Sequence, residues 1–183
     1  MINIGRFCLI SILLLACTSH GNRFENHVLI TNYSRQKINN CGSNKIVLVG
    51  GCFDVLHYGH FEFLKRAKEQ AEYLVVALEP DETISKYKNR QPVHNQIQRA
   101  TNLAAIRYVD EILLLPSMKG YVDYLKLVKD ICPSVIAITK NDSQMVNKQK
   151  QAKEIGAQVK IVVPHLEGLS SSSIIKKYKN NHS

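Results

Sequence analysis

The amino-acid sequence predicts an α/β fold: a single Rossmann-like, doubly wound domain on a five-stranded parallel sheet. Three observations lead there. Strand-length apolar runs recur between helix-length amphipathic segments, which is the alternation of a parallel sheet covered on both faces. A glycine-containing turn directly follows the first of those runs and opens a helix. The 183 residues suffice for one well-buried core and are short for two.

Taken in order, Lys45 to Gly50 reads as the first strand and Phe61 to Ala71 as a helix whose inner face carries Phe61, Leu64 and Ala67. Tyr73 to Leu78 is the second strand, so the opening is a βαβ unit with a right-handed crossover. Lys86-Tyr87-Lys88-Asn89-Arg90-Gln91-Pro92 reads as an exposed loop. A helix from His94 to about Tyr108 buries Ile97, Ala100, Leu103 and Ala104, which leaves Arg99 on the opposite side, free to face a site. Glu111 to Leu115, Val135 to Thr139 and Val159 to Val163 complete the strands. Tyr121 to Ile131 and Ser143 to Ile155 are the helices between them, the latter closed by Gly156. The last element is a serine cluster, Gly168-Leu169-Ser170-Ser171-Ser172-Ser173, running straight into a helix. Serine at such a junction is an N-cap. Residues 41–180 form the domain, and residues 1 to about 40 are set outside it.

The formal net charge is +9. The lysines are scattered over helical faces rather than interleaved with aromatics, so nucleic acid is not an expected partner. Cysteines at 8, 17, 41, 52 and 132 form no Cys-x-x-Cys pair, which excludes a zinc knuckle or a disulfide framework and suits a reducing compartment. The N-terminal stretch carries Arg6, an apolar run from Phe7 to Ala16, and Leu14-Leu15-Ala16-Cys17. It has the form of a bacterial lipoprotein signal, and the run is too short to span a bilayer.

The chemistry centres on Gly51 to His60, Gly-Cys-Phe-Asp-Val-Leu-His-Tyr-Gly-His. A strand that empties through a glycine turn into a helix aims backbone N–H groups and the positive end of the helix dipole at one point, which holds an anion, most often phosphate. His57 and His60 add side-chain donors there, and Gly59 between them allows close approach. The turn has neither the Gly-x-Gly-x-x-Gly of a dinucleotide fold nor the Gly-Lys-Ser/Thr of a Walker loop. A metal site on the two histidines and Asp54 would need further ligands that the spacing does not supply. Cys52 reads as a small buried filler, because no base is placed to activate it.

The ten-residue pattern Gly51-x-Phe53-Asp54-x-x-His57-x-Gly59-His60 resembles the signature of the cytidylyltransferase-like nucleotidyltransferases, the HxGH family. Gly168-Leu169-Ser170-Ser171-Ser172 resembles the family's terminal motif. The Lys86 to Pro92 stretch and Gln98-Arg99 are similar to its lysine loop and Glu-x-Arg helix, with Ile97 standing where the acidic residue belongs. Pro164 to Gly168 and Ile138 to Asp142 look most like the heptose 1-phosphate adenylyltransferase branch, with the glycerol-3-phosphate cytidylyltransferases next.

The resemblance implies attack by an acceptor phosphate oxygen on the α-phosphorus of ATP or CTP, releasing pyrophosphate. The acceptor would be a phosphorylated sugar or polyol, D-glycero-D-manno-heptose 1-phosphate first. Since that nucleophile is already ionised, catalysis reduces to alignment and charge neutralisation. His57 and His60 would donate to the α-phosphate, with backbone at Gly51, Cys52 and Phe53 around them. Ser170, Ser171 and Ser172 would hold the β- and γ-phosphates, and Lys86 or Lys88 with Arg99 would complete the cationic clamp. Lys140 would contact substrate, and Asp54 would orient a histidine or meet the Mg²⁺ that the triphosphate brings. A non-catalytic nucleotide-binding module of the same fold is the alternative, motivated by Ile97. Triphosphate chemistry places the protein in the cytoplasm, with lipid anchoring through Cys17 the alternative and Val28 a candidate later start. A homodimer is compatible with all of this.

Overall fold

The structure, a computed structural model, describes residues 28–33, 45–163 and 170–180. Its strands are β1 (Leu29–Asn32), β2 (Ile46–Gly51), β3 (Tyr73–Leu78), β4 (Glu111–Leu114), β5 (Val135–Thr139) and β6 (Gln158–Val163). The helices are α1 (Tyr58–Lys68), α2 (Asp81–Lys88), α3 (Gln96–Ala104), α4 (Tyr121–Ile131), α5 (Met145–Ile155) and α6 (Ser171–Asn180). All described strand pairs are parallel, in the order β1-β4-β3-β2-β5-β6.

Alternation along the central strands builds two cores, because successive side chains leave a strand on opposite faces. Val47 and Val49 of β2 pack with Phe63, Leu64 and Ala67 of α1 and with Ala100 and Leu103 of α3. Ile46 and Leu48 face the other way, onto Leu127, Val128 and Ile131 of α4 and Ala152 of α5. The chain builds outward from β2 through β3 to β4, then crosses to the other side of β2 to lay down β5 and β6. Strand order therefore reverses at β2, and the crevice beyond its carboxyl end, beside β5, is the place where open α/β sheets hold ligands.

Four expectations are corrected. The sheet has six strands rather than five: β1 pairs with β4 from Leu29↔Glu111 to Asn32↔Leu114, inside the stretch set outside the fold. Helix α1 starts three residues before Phe61, whose side chain is 43% exposed while Phe63 takes the inward position. Of the lysine stretch read as a loop, Lys86, Tyr87 and Lys88 are the last turn of helix α2, which ends in a left-handed Asn89, and only the residues after it are loop. In α3 Ala100 and Leu103 are buried as expected, but Ile97 is 61% exposed and Arg99 is fully buried. The inward polar face of α3 is used at strand ends, where the Gln96 amide donates to Leu78 O (3.0 Å) and Leu115 O (2.9 Å).

Among the described residues no helix is long and apolar enough to cross a membrane. Cys8, Cys17, Cys41 and the Pro164 to Leu169 segment, with Gly168 of the serine motif, lie outside the described residues.

Candidate active site

The turn after β2 is held in a conformation that a side chain at 51 would disturb. Phe53 has φ of 47°, the left-handed region where a bulky residue is strained. That backbone folds its ring back over Gly51, where an added Cβ would meet Phe53 Cε2 at 3.0 Å. The same ring lies 5.0 Å from the imidazole of His60, tilted by 55°. Gly51 thus makes room for the ring that backs His60.

His57 is the N-cap of α1, in extended conformation, and offers the helix no side-chain cap. Its carbonyl instead accepts from His60 N at 2.9 Å. The two imidazoles stack at 3.8 Å between centroids with 26° between planes. Both nitrogens of His57 and Nδ1 of His60 are buried with no protein partner. Burial, then the charges of His57 and Lys88, push His60 down to about 3, with a hydrogen bond to the Val55 backbone pulling the other way. Burial and Lys88 lower His57 too. Two neutral imidazoles with unsatisfied nitrogens, at a helix N-terminus, are built to meet an incoming anion.

Asp54 touches neither histidine. Its carboxylate accepts from Arg90 Nη1 (2.5 Å), Val93 N (2.9 Å) and His94 N (3.1 Å), so it pins the segment between α2 and α3 to the turn. Burial alone would raise this carboxyl, but Arg90 and the two backbone donors overcome it and hold it below the usual range. Arg90 spends only one arm on Asp54 and the Gln91 carbonyl; its Nε and Nη2 are buried without partners. Sequence reasoning included Arg90 in the lysine stretch without giving it a role, although an arginine, a residue suited to bidentate phosphate binding, was legible there.

Arg99 is corrected from an expected site cation to a buried tie. Its Nε donates to His94 O (3.1 Å), Nη1 to Cys52 O (2.5 Å), and Nη2 to Glu79 O and Asp81 Oδ1 (both 2.8 Å). One guanidinium thus joins the turn, the end of β3, the start of α2 and the entry to α3. The Cys52 thiol is pushed up by burial, which leaves it protonated at neutral pH and no nucleophile.

The serines divide their work. Ser170 caps α6, accepting Ser173 N at 3.0 Å. Ser171 is buried and locked onto the first motif, donating to Val55 O (3.0 Å) and accepting from Val55 N (3.4 Å). Ser172 is exposed in the first turn. The Val55 main chain therefore carries both Ser171 and His60, and the fold brings the α6 N-terminus and the histidine pair to one spot across 116 residues.

Of the two eligible lysines, Lys88 is the one whose charge bears on Cys52, His57 and His60. Lys86 lies instead over the Tyr87 ring at 5.2 Å. Lys140 is exposed just past β5, its N–H on Val163 O at 3.3 Å. Neighbouring Asp142 is occupied by Lys148 Nζ (2.7 Å) and Gln144 N (2.8 Å). Among the described residues no cluster of three or more His, Cys, Asp or Glu could hold a metal ion.

Comparison with known proteins agrees with this geometry. The family model described as Cytidylyltransferase-like matches residues 48–178. FAD synthase of Thermococcus kodakarensis is 41% identical over 138 residues, spanning 72% of this chain and 89% of that protein. The Bifunctional protein HldE of Campylobacter concisus is 29% identical over 164 residues, 89% of this chain but 33% of its own length. Among solved structures, the lipopolysaccharide core biosynthesis protein from Thermoplasma volcanium superposes with a TM-score of 0.55 at 26% identity, covering 68% of this chain and 98% of that one. A pantoate-beta-alanine ligase from Francisella tularensis shares the fold, with a TM-score of 0.59 at 19% identity over 82% of this chain and 73% of its own. The motif-bearing turn, the serine-capped last helix and the family match over most of the domain make this chain a member of the cytidylyltransferase-like family and a nucleotidyltransferase.

Proposed function

We propose that the enzyme transfers AMP from ATP to the phosphate of a phosphorylated polyol or sugar, releasing pyrophosphate, with FMN as the first acceptor. The observation behind the reading is the set of buried, unpartnered nitrogens on His57, His60 and Arg90 around the turn that opens α1. An attacking phosphate oxygen arrives ionised and needs no general base, and the Asp54 carboxylate is already engaged by Arg90.

In this reading the imidazoles donate to the non-bridging oxygens of the α-phosphate, where charge accumulates as the P–O bond to pyrophosphate breaks. Arg90 and Lys88 neutralise the incoming anions, and the α6 N-terminus with Ser170 and Ser172 receives the pyrophosphate end. Ser171 holds the two ends in register through Val55 and does not itself bind. Mg²⁺ would enter on the triphosphate as part of the substrate. The cytoplasm, where ATP is available, is the matching compartment.

The relatives support an order of acceptors. FAD synthases match most of this chain at 38% to 41% identity, which supports FMN. Heptose 1-phosphate is the second reading, supported by HldE and by the Thermoplasma volcanium structure. Pyrophosphate release from ATP or CTP, scored against FMN, heptose 1-phosphate and glycerol 3-phosphate, tests both. Turnover with FMN and ATP is the expected result; turnover with heptose 1-phosphate alone would select the second reading, and pyrophosphate release with neither would refute both.

A further inference from the structure

A half-buried carboxylate stands at the edge of the site with no assigned task. Glu79 follows the last residue of β3, and its N–H donates to Gly51 O at 3.0 Å, which sets it beside the phosphate-binding turn. Its side chain leaves the sheet on the α4 face, where Oε1 accepts from Tyr124 OH (2.8 Å) and Oε2 from Thr83 Oγ1 (3.1 Å). No described lysine or arginine forms an ion pair with it; it feels the charges of Lys148, which is held by Asp142, and of Arg99, which is held by Asp81. Burial raises this carboxyl against those hydrogen bonds.

A half-buried carboxylate without a direct ion-pair partner opposes folding, and hydrophobic packing would be a less costly occupant of the position. Each of its oxygens accepts one hydroxyl and keeps a further lone pair. What can fill those lone pairs is constrained by charge. An ionised carboxylate accepts only and repels phosphate, so its partner is a neutral donor attached to a substrate whose anionic part lies elsewhere, over the histidines. Hydroxyl groups fit that description, and the phosphorylated acceptors at issue, FMN with its ribityl chain among them, carry hydroxyls within a few bonds of the phosphate.

Resting on the transfer reaction proposed above, we infer that Glu79, fixed by Tyr124 and Thr83, is the specificity residue that reads the hydroxyls of the acceptor's polyol segment. The crevice beside β5 lies across β2 from β3 and Glu79, so an ATP held there and the acceptor should separate in kinetics. Glu79→Gln keeps the shape and removes the charge. It is expected to raise the acceptor KM about tenfold while moving the KM for ATP by less than about twofold, and to shrink the preference for a polyol phosphate over the hydroxyl-free monoester propyl phosphate. Glu79→Asp, which keeps the charge but withdraws it by one methylene, should fall between, with melting temperatures reporting that both variants fold. An unchanged acceptor KM, or an equal rise for ATP, would overturn the assignment. Calorimetric binding of FMN and glycerol 3-phosphate to wild type and Glu79→Gln gives an answer independent of turnover. Equal Kd in both proteins overturns the role of Glu79, whereas binding weakened by the variant without any pyrophosphate release would leave Glu79 standing and remove only the transfer reaction.

Discussion

Replacing Arg99 by methionine separates a structural tie from a substrate contact. The change removes donors from three main-chain carbonyls, those of His94, Cys52 and Glu79, and from the Asp81 carboxylate. Asp81 is 37% exposed and can be rehydrated, so its loss contributes little. The carbonyls are enclosed around a side chain with no exposure, and each unsatisfied acceptor costs about 1–3 kcal/mol. Partial collapse of the site onto the methionine lowers that sum, giving an expected destabilisation of about 3–5 kcal/mol, comparable with the breaking of a buried charged network. That is a large share of the ~5–15 kcal/mol available to a domain. Urea unfolding followed by far-UV circular dichroism measures it. Arg99→Lys keeps the charge but cannot span the acceptors and should recover less than about half of the loss. A destabilisation under about 1 kcal/mol together with a kcat lowered by more than about 100-fold would refute the tie and return Arg99 to the substrate.

His60→Ala should lower kcat by about 10²–10³ with less effect on KM for ATP, the signature of a donor used in the transition state; equal turnover in initial-rate assays would remove His60 from the mechanism. Ser171→Ala should cost about 1 kcal/mol, through loss of its hydrogen bonds to Val55, whereas Ser172→Ala should leave the urea midpoint unchanged. The two histidines are depressed in the fold, so the unfolded chain binds protons that the native state refuses as pH falls below about 6.5. Stability should therefore decline from that pH down toward about 3, where His60 titrates, and a His57→Gln/His60→Gln double variant should flatten the slope of urea midpoint against pH.

The central strands were legible because parallel strands buried on both faces are continuous apolar runs, as in Tyr73–Leu78 and Val135–Thr139. Strand β1 was not, since its four residues lie at the sheet edge with Leu29 52% and Ile30 41% exposed and carry no alternation. Only pairing with β4, eighty positions away along the chain, makes it a strand. The histidine turn and the serine cap were readable from local chemistry, and so was their convergence from the sheet plan. The division among the serines was not, because it depends on one backbone contact with Val55. Arg99 misled through periodicity: Ala100 and Leu103 do face the core, but Ile97 does not, and Gln96 and Arg99 turn inward because strand-end carbonyls need donors there. Helix α2 left a signal that was passed over, an acidic first turn at Asp81 and Glu82 after Pro80.

The edge strand also bears on how this protein should be handled. Trimming the chain to begin at Asn40 would strip β1 from β4 and open the ladder from Glu111 to Leu114 to water. An unpaired row of amides and carbonyls over apolar residues is a template for a strand from another molecule. Shortened forms are therefore expected to self-associate, and cuts placed ahead of Val28 should give the better-behaved material.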